Sequence, residues 1–192
     1  MLRLFAAIEI PDEQRAALAR LRAPLPGARW VEADNLHLTL RFAGDIDNRT
    51  AQEFADGLAG LDVGCFELAI VGLGAFGGND PKLLWAGVAA SPALDALARG
   101  GERAARAAGL PPEPRAFKPH VTLARMRHGR PEQVARYLER NARFALEPFT
   151  VERFVLMSSR PNVGGGPYVV EEAYTLAGAA PHDDWPDTDR AW

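Results

Sequence analysis

The sequence predicts an α+β fold of two pseudo-symmetric lobes, each with an antiparallel sheet and packed helices, around a central cleft carrying one His-x-Thr-x motif per lobe. Three observations carry this prediction. The 192 residues are 47% hydrophobic and 24% charged, which is typical of a soluble globular protein with a real core. Strand and helix patterns alternate along the whole chain. The tetrapeptide at residues 37–40, His-Leu-Thr-Leu, recurs at residues 120–123 as His-Val-Thr-Leu.

The first predicted element is a strand over residues 3–10, after which Pro11 begins a helix. Residues 31–41 are predicted to form the next strand, which ends at Gly44. Strict alternation divides this segment between two faces, with Leu36, Leu38, Leu40 and Phe42 on one and His37, Thr39 and Arg41 on the other.

The later elements follow from the same periodicities. They are helix 49–60, strands 66–71 and 83–88, helix 92–108, strand 120–125, helix 131–141, and strands within 145–158 and 168–176. Helix 92–108 has the clearest ends, because Ser91 can cap it, Pro92 suits its first position and Gly109 can close it. Each His-x-Thr-x motif is thus followed by a helix and a pair of strands.

The two-lobed domain is predicted to cover residues 1–177, and residues 178–192 are predicted to form an acidic, loosely ordered tail. The formal net charge of −3 argues against broad, non-specific binding of nucleic acid. The tail carries that negative charge, so the body is neutral and a small basic site can still hold an anionic substrate. The densest basic cluster, residues 125–130, directly follows the second motif.

Cys65 is the only cysteine, so no intrachain disulfide can form and a reducing compartment is expected. No stretch approaches the roughly 18 uninterrupted apolar residues of a membrane span, and the apolar run after Arg3 stops at Glu9, too early for a signal peptide. We therefore expect a cytoplasmic protein that does not contact membranes, needs no protein partner and acts as a monomer.

The repeated His–Thr spacing is the strongest functional signal in the chain. With four histidines and six threonines, a given histidine has Thr two residues later in about 3% of cases by chance. A lone histidine or threonine on a strand is more often structural than catalytic. Two such pairs among four histidines are hard to attribute to chance, and they favour a functional site.

The chemistry gives this spacing a reason. Residues i and i+2 on a strand share a face about 7 Å apart, so each pair can bring an imidazole and a hydroxyl to one phosphate. His37 and His120 can divide the acid and base roles near neutral pH. Thr39 and Thr122 can donate to the non-bridging phosphate oxygens. Opening a cyclic phosphodiester needs such groups on opposite sides of the phosphorus.

A catalytic metal is the main competing hypothesis, and the ligand count argues against it. A catalytic zinc has three protein ligands, usually His, Cys or carboxylate. Threonines occupy the i+2 positions, and no Asp or Glu shares the face of the motif strands. The other two histidines, His128 and His182, lie in a basic loop and in the acidic tail. We therefore predict that no metal or other cofactor is required.

At these motifs the sequence resembles the bacterial and archaeal RNA 2',3'-cyclic phosphodiesterases of the two-histidine phosphoesterase superfamily, once called 2'-5' RNA ligases. The resemblance runs from residue 3 to about 176. It is strongest in residues 35–42, 84–88 and 117–125, and also includes 158–160 with 166–168.

The resemblance implies hydrolysis of a 2',3'-cyclic phosphate on RNA or a nucleotide to a 2'-phosphomonoester. It also implies that His37 is the acid, that His120 is the base and that Arg125 contacts the substrate. Strict alternation places Arg125 on the face opposite His120, so it reaches the site only if the strand ends or bulges near Ala124. Phe5 is a further candidate contact, as a base-stacking ring, although such a position is more often core.

Other functions remain open at this point. A non-catalytic module of the same superfamily that binds a nucleotide such as AMP would be expected to lose or displace one His–Thr pair, and both are intact. RNA end-joining is the reverse reaction and uses the same groups. A small cyclic phosphate could also replace RNA as the substrate, because the pocket walls cannot be read from the sequence.

Overall fold

The computed structural model describes residues 2–159 and 168–180. In chain order its elements are β1 (Leu2–Glu9), α1 (Asp12–Ala19), β2 (Ala28–Trp30), a 3-10 helix (Ala33–Asn35), β3 (His37–Ile46), α2 (Asn48–Ala59), β4 (Phe66–Leu68), β5 (Ile70–Phe76), β6 (Leu83–Val88), α3 (Pro92–Ala107), β7 (His120–Met126), α4 (Pro131–Arg140), β8 (Phe149–Val151), β9 (Arg153–Ser159) and β10 (Tyr168–Thr175). The predicted α+β class is confirmed. Residues 160, 166 and 167, which are part of the family resemblance, lie outside the described residues, as does the predicted tail from residue 181 onward.

One large antiparallel sheet forms the framework. Its strand order is β10-β9-β1-β3-β7-β6-β5, and β2 pairs with β7 beside this path. The two motif strands, β3 and β7, meet at the centre through a single register pair, Leu38 with Val121. Because these strands pair only once, they diverge on both sides of the pair, and the sheet divides into two halves around a cleft.

The two halves exchange strands, which the sequence pattern does not reveal. The pair β5–β6 follows the His37 motif in the chain but joins the half-sheet of β7. The pair β9–β10 follows the His120 motif but joins the half-sheet of β1 and β3. Each lobe is therefore built from both halves of the sequence.

The helices cover one face of this sheet and leave the other face for the site. Leu38 and Val121, both 0% exposed, belong to a buried cluster that includes residues of all four helices, such as Leu18, Phe54, Leu97 and Val134. A second, smaller cluster lies on the opposite face of the half-sheet formed by β10, β9, β1 and β3, which we call the first lobe. It consists of Phe5, Ala7, Val155 and Met157. No helix among the described residues has both the length and the apolar composition needed to cross a membrane.

The prediction for the first motif strand was wrong at both ends. Residues 33–35 form a 3-10 helix, β3 begins at His37, and β3 continues through Gly44 to Ile46. Gly44 has a φ of +78°, a conformation that few other residues adopt without strain, and it marks an irregular pairing, not the end of the strand. β1 pairs Leu4 with Gly44 but Phe5 with Phe42, which leaves Ala43 as an extra residue.

A second bulge changes which side chains face the cleft. β1 pairs Ala7 with Thr39 but Ala6 with Arg41, so Leu40 is also an extra residue. Beyond it the alternation is reversed. Arg41 turns to the helical face, where it is 7% exposed, and Phe42 turns to the cleft. The predicted faces of Arg41 and Phe42 were therefore wrong.

Arg41 is satisfied on the helical face by partners from three segments. Its Nε donates to the carboxylate of Glu102 on α3 at 2.5 Å, and its Nη2 donates to the carbonyl of Pro111 at 2.5 Å. A third bond goes to the carbonyl of Phe42. A buried guanidinium needs such a complete set of acceptors, because an unpaired buried charge is costly. The network joins β3 to the segment that leads into β7.

Candidate active site

The four motif side chains lie around the single contact between β3 and β7. Because these strands are antiparallel and pair Leu38 with Val121, His37 lies on the same side of this pair as Thr122, and Thr39 on the same side as His120. Leu38 and Val121 point into the helical core, so the four motif side chains project to the opposite face. The predicted approach of the two His–Thr pairs is thus what the structure shows.

Both imidazoles are held in the same way. The Nδ1 of His37 lies 2.8 Å from the carbonyl oxygen of Asn35, and the Nδ1 of His120 lies 2.6 Å from that of Lys118. A carbonyl only accepts, so each Nδ1 carries the donated proton. In the neutral ring this leaves Nε2 with a free lone pair, and that atom is the one available to a ligand in the cleft.

Asn35 also links the first site histidine to a distant strand. Its side-chain oxygen accepts a hydrogen bond from the backbone N–H of Tyr168 at 3.1 Å, and the Tyr168 ring meets His37 edge-on at 4.9 Å. The 3-10 helix that contains Asn35 therefore positions both the imidazole and the start of β10. Sequence reasoning missed this role, because Asn35 was seen only as part of the family pattern.

Arg125 reaches the cleft through the bulge that its position required. β6 pairs Trp85 with Thr122 but Leu84 with Ala124, which leaves Leu123 as an extra residue in β7. Arg125 is exposed and lines the cleft together with His37, beside Thr122. The structure thus brings Arg125 to the site, although its contact with a substrate stays a prediction.

The two bulges are equivalent under the internal repeat. Leu40 and Leu123 occupy the same place in their motifs, one residue after Thr39 and Thr122. Phe42 consequently corresponds to Arg125, and both face the cleft. Sequence reasoning missed Phe42 because it foresaw a bulge only in the second copy. Applying the same bulge to the first copy would have found it.

Phe5 lies at the cleft but is covered. Its ring lies 4.9 Å from His37 and stacks on Phe42 at 5.6 Å, with an interplanar angle of 5°. Phe5 is only 1% exposed, whereas Phe42 is 44% exposed. A base entering the cleft meets Phe42 first, and Phe5 supports Phe42 and His37 from behind. Direct base stacking by Phe5 therefore stays a prediction, and its burial does not favour it.

His120 has an aromatic wall of its own. Phe76 meets it edge-on at 5.1 Å, and Trp85 lies 6.2 Å away. The indole of Trp85 lies against Gly74, where any Cβ would collide with it, so only glycine leaves room for this ring. Each site histidine is thus bordered by aromatic rings from its own lobe.

Comparison with known proteins agrees with this site. The family model described as LigT-like phosphoesterase matches residues 8–85 and 88–168 of the chain. These two stretches contain both motifs and most of the sheet.

The chain belongs to the LigT-like phosphoesterase family.

Several relatives carry a functional name. An RNA 2',3'-cyclic phosphodiesterase of Thermus thermophilus is 33% identical over 92% of this chain and 91% of the relative. One of Geobacillus stearothermophilus is 31% identical over 91% of this chain, which spans only 57% of that relative's length. The crystal structure of E. coli LigT complexed with 3'-AMP superimposes with a TM-score of 0.72 at 26% identity, covering 92% of this chain and 98% of LigT. The two-lobed fold expected from the motifs is therefore confirmed.

In this LigT-like site the pKa of His37 is shifted far from its ordinary value. Burial lowers the pKa of His37 from 6.5 to about 4. The hydrogen bond to Asn35 opposes this effect, while the positive charge of Arg125 and the neighbouring His120 lower the pKa further. His37 is therefore neutral at pH 7 in the ligand-free protein. The influence of Arg125 and His120 reflects their closeness to His37.

This lowered pKa predicts a specific dependence of stability on pH. Between pH 6.5 and about 4 the unfolded chain binds a proton at His37 and the folded protein does not, so the free energy of unfolding falls as the pH falls through this window. His37→Asn cannot titrate but keeps a donor for Asn35. Between pH 7 and pH 4 we expect the free energy of unfolding to fall by up to about 3 kcal/mol more in the parent protein than in His37→Asn.

Urea unfolding at several pH values measures this difference. His128→Asn is the matched control, because His128 is exposed and has a φ of +53°, which Asn tolerates. The free energy of unfolding of His128→Asn should depend on pH in the same way as that of the parent protein. If His37→Asn and the parent showed the same pH dependence, His37 would not be held neutral by burial.

Metal ligation finds no support in the LigT-like site. Within residues 2–159 and 168–180 no three His, Cys, Asp or Glu side chains cluster closely enough to hold a metal ion. The cleft beside His37 is lined by Thr39, Thr122, Arg3 and Arg125, and both imidazoles hydrogen-bond to backbone carbonyls. Activity without a metal stays a prediction.

Proposed function

We propose that this protein hydrolyses 2',3'-cyclic phosphates at RNA ends or on nucleotides to 2'-phosphomonoesters, by acid–base catalysis between two histidines. One observation carries the proposal. Two imidazoles, on strands that meet at a single register pair, are fixed by the same hydrogen bond from Nδ1 to the carbonyl two residues earlier. Both rings therefore keep Nε2 free for a ligand, and His120 lies near enough to His37 to lower its pKa. The curated relatives named RNA 2',3'-cyclic phosphodiesterase support the substrate class.

The reaction divides between the two rings. A water oxygen attacks the phosphorus while the Nε2 of His120 takes the proton of that water. The bond from phosphorus to the 3'-oxygen breaks, and protonated His37 gives its Nε2 proton to that oxygen. The products are a 2'-phosphomonoester and a free 3'-hydroxyl. His120 ends protonated and His37 neutral, and exchange with solvent restores the pair.

The remaining site groups act on the charge of the phosphate. Thr39 and Thr122 are proposed to donate hydrogen bonds to the two non-bridging oxygens, one from each lobe. Arg125 supplies a permanent positive charge that can hold two oxygens at once. Phe42 offers the exposed aromatic surface for a base.

The acid role of His37 requires a change of its pKa on binding. In the free protein its pKa of about 4 keeps the ring neutral. An anionic phosphodiester next to the ring replaces part of the lost solvation and favours the charged form, so the pKa rises in the complex. The proton that His37 donates is therefore taken up together with the substrate.

The proposed partners are RNA ends or small nucleotides that bear a 2',3'-cyclic phosphate. We further propose that the protein acts as a monomer in the cytoplasm. The single cysteine, Cys65, is unpaired in the structure and agrees with a reducing compartment.

The decisive experiment incubates purified protein with a 2',3'-cyclic mononucleotide and a cyclic-phosphate-ended oligoribonucleotide in excess EDTA. We expect full activity and a 2'-phosphate product, identified by chromatography against both phosphate isomers. The variant with both His37 and His120 replaced by Ala is the negative control for contaminating nucleases.

Each other outcome has a defined meaning. A 3'-phosphate product would reverse the assigned bond cleavage. Loss of activity in EDTA, restored by one divalent ion, would contradict the metal-independent mechanism. Tight binding without turnover would favour the nucleotide-binding module. Joining of a cyclic-phosphate end to a 5'-hydroxyl end would favour RNA ligation.

A further inference from the structure

Two arginines lie opposite each other on neighbouring strands, and one of them, Arg125, lines the cleft. Arg29 on β2 is directly opposite Arg125 on β7 in the antiparallel register. Residues opposite each other in this way share a face of the sheet. Their strand neighbours Ala124 and Met126 are buried in the core on the other face, and Trp30 packs against it. Both guanidinium groups therefore project on the cleft side.

A second observation places this end of β2 beside the cleft. Val31, which directly follows β2, lines the cleft together with Asn35 and His37 and also packs against the helical core. β2 also lies on the edge of β7 that β3 occupies at its other end, so it borders the gap where the two motif strands diverge. Arg29 thus lies one strand spacing from Arg125, which lines the cleft with His37.

The position of Arg29 is fixed by its backbone. The N–H of Val31 donates to the carbonyl of Leu123 at 2.8 Å, and the N–H of Arg127 donates to the carbonyl of Gly27 at 2.8 Å. These bonds fasten β2 to β7 at both ends. Gly27 has a φ of +82°, and a Cβ there would collide with the carbonyl of Arg127, so the close approach of the two segments depends on glycine.

The arginine pair is unfavourable within the described protein. Like charges directly opposite each other on neighbouring strands destabilise a sheet. Both side chains are exposed, and neither has a carboxylate within 4.0 Å among residues 2–159 and 168–180. Arg3 and Arg22 nearby do have such partners, Asp45 and Glu32. Two opposed cations without a counter-charge form a site that suits an external anion.

We infer that Arg29 binds the phosphodiester that immediately precedes the cyclic phosphate, so the preferred substrate is an RNA end of two or more nucleotides. This inference rests on the proposed function. A 2',3'-cyclic phosphate ends its strand, and the chain leaves the site only toward the preceding phosphate. With the reacting phosphate near Arg125 and the histidines, the arginine one strand spacing away is placed for that second anion. A mononucleotide has no phosphodiester there.

The test compares Arg29→Gln with the parent protein on a cyclic-phosphate-ended oligoribonucleotide and on a 2',3'-cyclic mononucleotide. We expect kcat/KM for the oligonucleotide to fall about tenfold, as for one lost charge-assisted contact, and kcat/KM for the mononucleotide to stay within about twofold. The slope of log(1/KM) against log salt for the oligonucleotide should also become shallower by about 0.7, the value for one phosphate contact on a single strand.

Two further variants separate this role from others. Arg29→Lys keeps the charge and should keep most of the salt slope. Arg99→Gln makes the same charge change at an exposed position of α3, on the helical face of the sheet, and should affect neither substrate. Thermal melting should show that Arg29→Gln is folded and no less stable than the parent, because it removes one of two opposed like charges.

Equal losses on both substrates, or no loss on either, would overturn the inference. Failure of the proposed function would look different, since the parent protein would then hydrolyse neither substrate. In that case equilibrium binding of the same two ligands, measured by calorimetry, tests Arg29 alone. A preference for the oligonucleotide that disappears in Arg29→Gln would support the inference, and its persistence would contradict it.

Discussion

Replacing either His37 or His120 by Ala is expected to lower kcat on the order of 10²–10⁴-fold, the usual contribution of one general acid or base. Each ring is held by a backbone carbonyl and keeps Nε2 free, and the only other histidine among the described residues, His128, is exposed in the loop after β7. Steady-state rates on a 2',3'-cyclic mononucleotide measure the loss, because this substrate needs only the reacting phosphate.

The double variant distinguishes a cooperating pair from two independent contributions. Groups that act as a unit are not additive, so the double variant should lose much less than the product of the two single losses. Thr39→Ala and Thr122→Ala should each cost less than either histidine variant, since each removes one neutral donor and leaves the proton path intact. Near-full activity in one histidine variant would instead indicate a mechanism with a single histidine or a different site.

The secondary structure could be predicted well where the deciding signals are local. The helix predicted over 92–108 is observed at Pro92–Ala107, because Ser91 accepts the N–H of Leu94 as its cap and Gly109 follows with a φ of +85°. The two His–Thr pairs could also be predicted, because the spacing i and i+2 fixes a shared face within one strand.

The features that depend on the partner strand could not be predicted in the same way. A bulge is a mismatch between two strands, so the sequence of one strand does not reveal it. The bulge at Leu40 reversed the faces of Arg41 and Phe42, and the buried ion pair with Glu102 comes from α3, 61 residues away. Arg125 was foreseen only because its proposed role conflicted with strict alternation.

The exchange of strands between the lobes lies further beyond local signals. Each motif is followed by a helix and two strands, and nothing in that order tells which half-sheet the two strands join. The burial of Phe5 follows from this exchange, because β9 pairs with β1 and places Met157 beside Phe5, and Tyr168 of β10 packs edge-on against its ring. The candidate site was thus predicted in its motif residues, and its walls required the structure.

The assignment of acid and base is expected to appear in a substrate whose 3'-bridging oxygen is replaced by sulfur. A thiol has a pKa near 8.5, far below that of an alcohol, so sulfur leaves as a thiolate without needing a proton. The acid then becomes dispensable and the base does not. His37→Ala should therefore regain most of its loss, on the order of 10²-fold or more, while His120→Ala should remain impaired.

The comparison is made as the ratio of rates on the sulfur and oxygen substrates for each variant, measured at one pH, with the parent protein as reference. This test is needed because burial holds the pKa of His37 at about 4, so in the free protein the ring is neutral and has no proton on Nε2 to donate. Rescue of His120→Ala in place of His37→Ala would exchange the two roles. Rescue of both variants would mean that neither ring protonates the leaving oxygen alone. Rescue of His37→Ala alone requires that the substrate anion raises the pKa of this ring on binding, since the proton is then delivered from a group that is neutral in the free protein.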